Sequence, residues 1–269
     1  MKLFGRPVKR YVASVPLAHR YLRDAIVCCR LFRSPLSVLR AYVTRHPIQA
    51  RVIELRDGMK IFLSDDPLDV VTVFGLFVRG DYGTIPRGSR VIDIGANIGV
   101  FSLYAIHCGA ALVHAYEPSG DSFECLRRNV EENALSDSIR IFHVAVGSGP
   151  ERMVRFPRKS SVFNAILPDG SSGDGPADDV RLETLATVIG RLPEADIIKL
   201  DCEGEEEDIL AACDSATLAQ VGEIRLEYHN FRGDAVCEVM RNHDFDVTHL
   251  WAPDAKGGIA WFRRAASRA

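Results

Sequence analysis

From residue 90 onward, short apolar runs alternate with longer amphipathic stretches. "RVIDI" (90–94), "ALVHAYE" (111–117), "IRIFHVAV" (139–146), "ADIIKLD" (195–201) and "GEIRLEYH" (222–229) read as strands. Residues 98–108, 119–133 and 233–242, and the acidic "GEEEDILAAC", repeat their apolar positions every three or four residues and read as helices. Asp121 and Glu124 stand at the spacing of a capping box. The closing runs "DFDVTHLW" and "GGIAWFRR" predict an antiparallel strand pair. Strand–helix alternation predicts a mostly parallel sheet with helices on both faces.

Upstream the pattern differs. Residues 1–45 read as helical, with Leu22, Ala25, Ile26, Cys29 and Phe32 spaced for one face, and Pro35 starts a second short helix through Tyr42. "RVIELRDGMKIFLS" (51–64) alternates around Asp57-Gly58, which predicts a hairpin. Pro67 opens an apolar helix over 68–79. The expected organisation is a basic helical extension over 1–50 and an α/β domain over 51–269, whose core sheet runs over 90–264. Residues 157–180, rich in Gly, Ser, Pro and Asp, interrupt the alternation and are expected to form a mobile lid.

The chain has 269 residues, 47% of them apolar, enough for one large domain with an appendage. The longest apolar run, "VVTVFGLFV", is about half the length of a membrane span. No secretory signal is expected at the N-terminus. Seven scattered cysteines without a C-x-x-C pair argue for reduced thiols and a cytoplasmic setting. Charge is uneven: residues 1–60 carry +10 and the remainder −13. The acidic body argues against a nucleic-acid partner. The basic head reads either as a solvated face or as a peripheral contact with anionic lipid at the inner membrane surface.

The ligand signal lies in "DIGANIG". In an open α/β sheet, ligands bind beyond the carboxyl ends of the strands, where strand order reverses. Asp93 ends the first strand, and Gly95 and Gly99 frame Ala96 and Asn97 where the backbone must turn and approach a ligand. The dinucleotide fingerprint needs glycines at relative positions 1, 3 and 6, but Asn97 and Val100 occupy the last two. An acid at Asp93 suits a cationic ligand, and S-adenosylmethionine carries a sulfonium and an ammonium. Glu117, 24 residues later, ends the second strand and can take both ribose hydroxyls. Ala145 and Val146 are candidate adenine walls.

"VIDIGANIGVFSLYA", "YEPSGDSFECLRRNV" and "IIKLDCEGEEEDIL" together resemble the FkbM-type family of S-adenosylmethionine-dependent methyltransferases. The "KLDCEG" block, Lys199 to Gly204, separates this family from other class I methyltransferases. "LETL" (Leu182–Leu185) and "LEYH" (Leu226–His229) fall where the family has similar segments, with Glu183 in place of the commoner Asp. The resemblance spans roughly residues 70–264. It implies a seven-stranded class I methyltransferase sheet with a reversed terminal hairpin. It also implies O-methylation, often of sugar or natural-product hydroxyls.

Methyl transfer needs the nucleophile, methyl and sulfur in line, and a base for an alcohol acceptor. Candidate catalytic residues lie at strand ends: Asp201 and Glu203 after the fourth strand, Glu227 and His229 at the fifth. Asp201 stands open between base and donor-orienting roles. His229 stands open between a base of ordinary pKa and a solvated histidine. Glu205, Glu206, Glu207 and Asp208 read as acids favouring a helix N-terminus. His107, His114 and His143 read as packed neutral histidines. No metal is expected, because no D-D or D-N pair of the kind carried by metal-using class I O-methyltransferases is found. A nicotinamide oxidoreductase would need the missing third glycine. A non-catalytic scaffold predicts erosion of Asp93, Glu117, Asp201 and Glu203, which are all present. Other acceptors, a small-molecule nitrogen or a nucleic acid, are the remaining alternatives.

Overall fold

The computed structural model describes residues 2–3, 6–7, 15–158, 176–230, 232–252 and 257–265. Its central sheet follows from strands that alternate between two apolar faces. In β5 (Arg90–Ile94) and β11 (Ala195–Leu200), Val91 and Ile197 enter one hydrophobic cluster, while Ile92, Ile94, Ile198 and Leu200 enter the other. Burial on both faces is the condition of a parallel sheet. Before β5, the chain forms a two-residue pair, β1 (Lys2–Leu3) and β2 (Arg6–Pro7), and the hairpin β3 (Val52–Glu54) and β4 (Lys60–Phe62). β6 (Leu112–Tyr116) and β7 (Ile139–Phe142) continue the sheet on one side of β5.

β8 (Val144–Gly147), β9 (Arg152–Pro157) and β10 (Ala177–Thr184) form a separate three-stranded sheet ordered 8-10-9. β12 (Val221–Tyr228), β13 (Phe245–Trp251) and β14 (Gly258–Arg264) complete the central sheet, ordered 13-14-12-11-5-6-7. β14 runs antiparallel to β12, and β13 antiparallel to β14. This is the reversed terminal hairpin of a class I methyltransferase fold. Strand order reverses between β5 and β11.

One face of the sheet is covered by α1 (Val15–Leu31), α2 (Pro35–Thr44), α3 (Asp69–Val73), α4 (Val100–Cys108) and α5 (Gly120–Glu132), together with the hairpin. The other carries α6 (Leu185–Ile189), α7 (Glu206–Ala211), α8 (Ser215–Leu218) and α9 (Gly233–Asn242).

Five expectations are corrected. First, the run 139–146 is two strands: it breaks at exposed His143, and β8 leaves the central sheet to pair with β10. Second, the segment 157–180 is bounded by a ladder, since β9 and β10 pair antiparallel up to Pro157 and Ala177; residues 159–175, on which the lid expectation rests, lie outside the described residues. Third, the inward face of α1 is rotated from the expected one and keeps Phe32 of that set. Asp24, Cys28 and Phe32 are buried, whereas Leu22, Ile26 and Cys29 are exposed. Fourth, Asp121 and Glu124 form no capping box. Ser119 is the N-cap without a side-chain bond, the Asp121 N–H donates to the Arg158 carbonyl, and Glu124 pairs with Arg127. Fifth, the helix over 68–79 is α-helical only to Val73, and Phe74–Arg79 is a π-helix. Such segments recur at functional sites.

Candidate active site

The tips of β5 and β11 meet where strand order reverses. Between β5 and α4 the backbone is left-handed at Gly95, Asn97 and Gly99, with φ of 71°, 50° and 85°. A Cβ on Gly95 would sit 1.9 Å from the Asp201 carbonyl oxygen. A Cβ on Gly99 would meet Leu126 at 2.5 Å. Both glycines admit close packing of the protein on itself, Gly95 against β11 and Gly99 against α5; Gly95 also lines the cavity described below, whereas Gly99 does not.

Asp93 is also behind the wall. It is fully buried, accepts from Ser102 Oγ at 2.7 Å and lies 3.3 Å from Lys199 Nζ, its cross-strand neighbour. The expected direct contact between Asp93 and a ligand cation is corrected: its cation is Lys199. That ammonium also donates to the Gly95 carbonyl at 2.6 Å and lies 3.7 Å from Asp201. Burial works against its charge, but Asp93 and Asp201 raise its pKa above the ordinary lysine value.

Glu117, at the tip of β6, accepts one backbone N–H on each oxygen: Asn97 at 2.7 Å and Ser119 at 2.7 Å. A carboxylate oxygen has room for a second donor. Two such positions on one carboxylate suit the paired hydroxyls of a ribose. Burial pushes the Glu117 pKa up to about 7, against the lowering effect of its two N–H donors.

Ala96, Asn97, Glu117, Ala145 and Val146 line one cavity of about 480 Å³, together with Asp201, Glu203, Glu227 and His229. That volume is in the range of small-molecule sites. Donor-side and acceptor-side candidates thus share one space, and of the candidates only Asp93 and Gly99 stand outside it.

On the acceptor side, Asp201 and Glu203 lie on the turn after β11, with Glu203 at φ 54° and Gly204 at φ 111°. Burial first, then the charge of Asp201, pushes both Glu203 and Glu227 up to about 7. Burial raises Asp201 as well, opposed by Lys199 and His229. His229 departs from the ordinary histidine expected at the sequence level. Burial opposes its charge, yet the Glu206 hydrogen bond and the surrounding acids lift its pKa to about 9.

Three contributors escaped the sequence reading. Glu206 stands in the first turn of α7 as expected, but it is buried and does more than favour the helix dipole. It accepts from the Cys202 and Gly204 N–H groups and lies 3.1 Å from His229 Nδ1, so it shapes the Asp201–Glu203 turn and orients the imidazole. Tyr82 lines the cavity and its buried hydroxyl has no partner among the described residues. Arg225 holds the Tyr82 loop by donating to the Tyr82 and Thr84 carbonyls, while lying over the Trp261 ring. The other histidines differ from one another. His114 is buried, and burial lowers its pKa to about 4; His107 lies 2.9 Å from Asp57; His143 is exposed and stacks on Phe123.

The methyltransferase FkbM domain matches residues 93–252, more than half of the chain. The chain belongs to the FkbM methyltransferase family. It is an S-adenosylmethionine-dependent methyltransferase, and the Glu117 cradle fits that donor's ribose. This FkbM-family enzyme is 27% identical over 192 residues to 31-O-demethyl-FK506 methyltransferase FkbM of Streptomyces tacrolimicus, covering 60% of this chain and 74% of that one. It is 28% identical over 211 residues to AMB antimetabolite synthetase AmbE of Pseudomonas aeruginosa, covering 61% of this chain and 10% of that protein. The chain therefore spans about a tenth of AmbE's length. Among solved structures, Trm5b from Pyrococcus abyssi aligns with a TM-score of 0.46 at 15% identity, over 80% of this chain and 56% of that one.

Proposed function

We propose that this enzyme methylates a hydroxyl oxygen of a sugar, a glycan or a small natural product. The observation that carries the reading is the shared cavity: the Glu117 cradle and the carboxylates of Asp201, Glu203 and Glu227 line one space. The name of the Streptomyces relative, 31-O-demethyl-FK506 methyltransferase, denotes a methyl acceptor oxygen, which agrees with the reading. Bound donor supplies a methyl group on a positively charged sulfur. The chain's own residues do the rest. Glu117 orients the ribose, Gly95 and Lys199 keep the β5–α4 turn against β11, and the apolar wall of Leu76, Phe101 and Ile259 limits water. Alignment of this kind is worth about 7–11 kcal/mol of barrier. The acceptor hydroxyl gives its proton to a carboxylate at the β11–β12 tips; its lone pair forms the C–O bond as the C–S bond breaks. A positioned base contributes roughly 10²–10⁴-fold. Calorimetric titration with S-adenosylmethionine and NAD⁺ should give binding of the first alone. Incubation of labelled donor with candidate glycans and polyols, read by mass spectrometry, should label an oxygen. Failure to bind the methyl donor would refute the reading, and label found only on nitrogen would refute the acceptor class.

The outward face of α1 and α2 supports a peripheral role at anionic membranes. Tyr21, Leu22, Ile26, Leu36 and Val43 are exposed, from 45% to 78%. Arg20, Arg23, Arg30, Arg33, Arg40 and Arg45 are exposed around them. Apolar side chains ringed by arginines suit the headgroup region of an anionic bilayer. No described helix is long and apolar enough to cross a membrane. Co-sedimentation with phosphatidylglycerol vesicles should exceed that with phosphatidylcholine vesicles and fall in the Leu22→Ser/Ile26→Ser variant. Equal sedimentation with both lipids would refute the role.

A further inference from the structure

We infer that Asp201, Glu203 and His229 form a site for a divalent cation of the Mg²⁺/Mn²⁺ class, on which the acceptor hydroxyl is held. The inference rests on the O-methylation reading above and assigns its acceptor-side machinery. One ligand atom from each of the three residues lies within 4.8 Å of the other two. Metal–ligand distances of roughly 2.0–2.6 Å let one ion span donors up to about 5 Å apart. All three residues line the cavity that holds the Glu117 cradle, so a cation there would share one space with the donor.

Two further features point to a ligand. His229 presents Nδ1 to buried Glu206 at 3.1 Å, while Nε2 faces Glu203 at 3.6 Å. A ligating histidine usually gives its other ring N–H to a carboxylate, which aims the free nitrogen at the ion. Glu206 supplies that partner and also accepts from the turn carrying Glu203. Independently, Tyr82 is only 7% exposed, lines the cavity, and keeps a hydroxyl with no partner among the described residues. A buried phenol hydroxyl ordinarily has a partner. A water or substrate oxygen on the ion would provide it. Glu227 lines the same cavity and is left free of the triad.

Two carboxylates and one imidazole leave positions of a six-coordinate ion open. An acceptor hydroxyl in one of them is acidified by the ion. Its proton passes to Glu227, its oxygen attacks the methyl carbon, and the C–S electron pair stays on sulfur. No oxidant or reductant is needed.

The test uses the full chain, stripped with chelator and dialysed. Mn²⁺ is titrated in, and free Mn²⁺ is read by electron paramagnetic resonance. S-adenosylmethionine binding is measured by calorimetry on the same samples. The wild type should bind one Mn²⁺, and Glu203→Gln and His229→Gln should each weaken it tenfold or more without changing donor affinity. Asp201→Asn, near-identical in volume, stands in for the Mn²⁺ readout alone if melting shows either variant unfolded, and donor affinity is then judged on the remaining folded variant. Donor binding with no Mn²⁺ binding, or Mn²⁺ binding unchanged in the variants, would overturn the cation site and leave the O-methylation reading intact. Absence of donor binding would overturn that reading itself.

Discussion

Lys199→Met tests why a charge is kept inside the sheet. Lys199 is 5% exposed and Asp93 is not exposed at all, and they face each other in the β5–β11 register at 3.3 Å. Methionine matches the stem of lysine but removes its ammonium. Asp93 then keeps its hydrogen bond from Ser102 but no ammonium among the described residues, and the Gly95 carbonyl loses its 2.6 Å donor. Breaking a buried pair from one side costs about 3–5 kcal/mol. A domain of this kind has about 5–15 kcal/mol in total, so the variant should fold but be weakened. Adding Asp93→Asn removes the uncompensated charge and should restore about 2 kcal/mol, a coupling expected of residues in contact. The assay is urea unfolding followed by circular dichroism for both single variants, the double variant and the wild type. The folded-state pKa of Lys199 lies above the ordinary value. Its contribution is therefore fully present below an ordinary lysine pKa of about 10.4 and fades only in stronger alkali. The coupling should accordingly stay level from pH 6 to pH 9. A cost below about 1 kcal/mol for Lys199→Met would refute the reasoning, as would additivity of the two changes within about 0.5 kcal/mol.

Three other outcomes are expected. Gly95→Ala should destabilise the fold by at least about 2 kcal/mol more than Gly99→Ala, because its Cβ would meet the Asp201 backbone whereas that of Gly99 would meet a movable Leu126 side chain; thermal melts of the two variants decide it. Glu117→Gln should weaken S-adenosylmethionine binding by roughly 10–100-fold, as expected for lost hydrogen bonds to a charged group, measured by calorimetry. Glu117 should also mark the pH dependence. Its pKa is raised from 4.5 to about 7, so the folded state holds a proton that the unfolded state has released. Its contribution to stability therefore falls as pH rises from about 4.5 through 7, by up to ~3 kcal/mol. Donor affinity should move the other way and rise between pH 6 and pH 8 as the carboxylate forms. Urea midpoints and donor titrations across that range, with Glu117→Gln as the flat control, check both signs.

The donor side was legible because it is local. β5, the turn, α4 and β6 are contiguous, each has its own period, and Glu117 is found by counting to the end of a strand. The acceptor side depends on partners far apart in sequence. Tyr82 sits in a turn-rich segment and is held by Arg225 from 143 residues away. Glu206 is one of four consecutive acids, and only the left-handed turn at Glu203 and Gly204 decides that this one faces inward. The same holds for α1. Its two faces are both partly apolar; spacing selected Leu22, Ile26 and Cys29 along with Phe32, and of these packing against the hairpin buries Phe32, with Cys28 in place of the others. In the run 139–146, apolar residues surround Arg140 and His143 without a Gly or Pro, so nothing in the pattern marks the change of sheet at His143. What breaks it is β10, whose Arg181–Thr184 pair in parallel with Val144–Gly147 from much later in the chain.

The π-helix at Phe74–Arg79 sets how readily this cavity can change occupants. Thr72, Gly75, Leu76 and Arg79 reach the cavity from α3 and this segment, and Arg79 pairs with Asp81 at 2.6 Å just beyond it. An α-helix turns about 100° per residue, and a π turn holds its shape by accommodating a longer hydrogen-bonded loop. Removing one residue from 74–79 would therefore restore α pitch and swing Arg79 and Asp81 around the helix axis. The donor loop at 93–99 would be untouched, since it is anchored to β6 and β11 instead. Acceptor choice in such a fold can diverge through changes of a single residue in length, while the methyl donor stays the same.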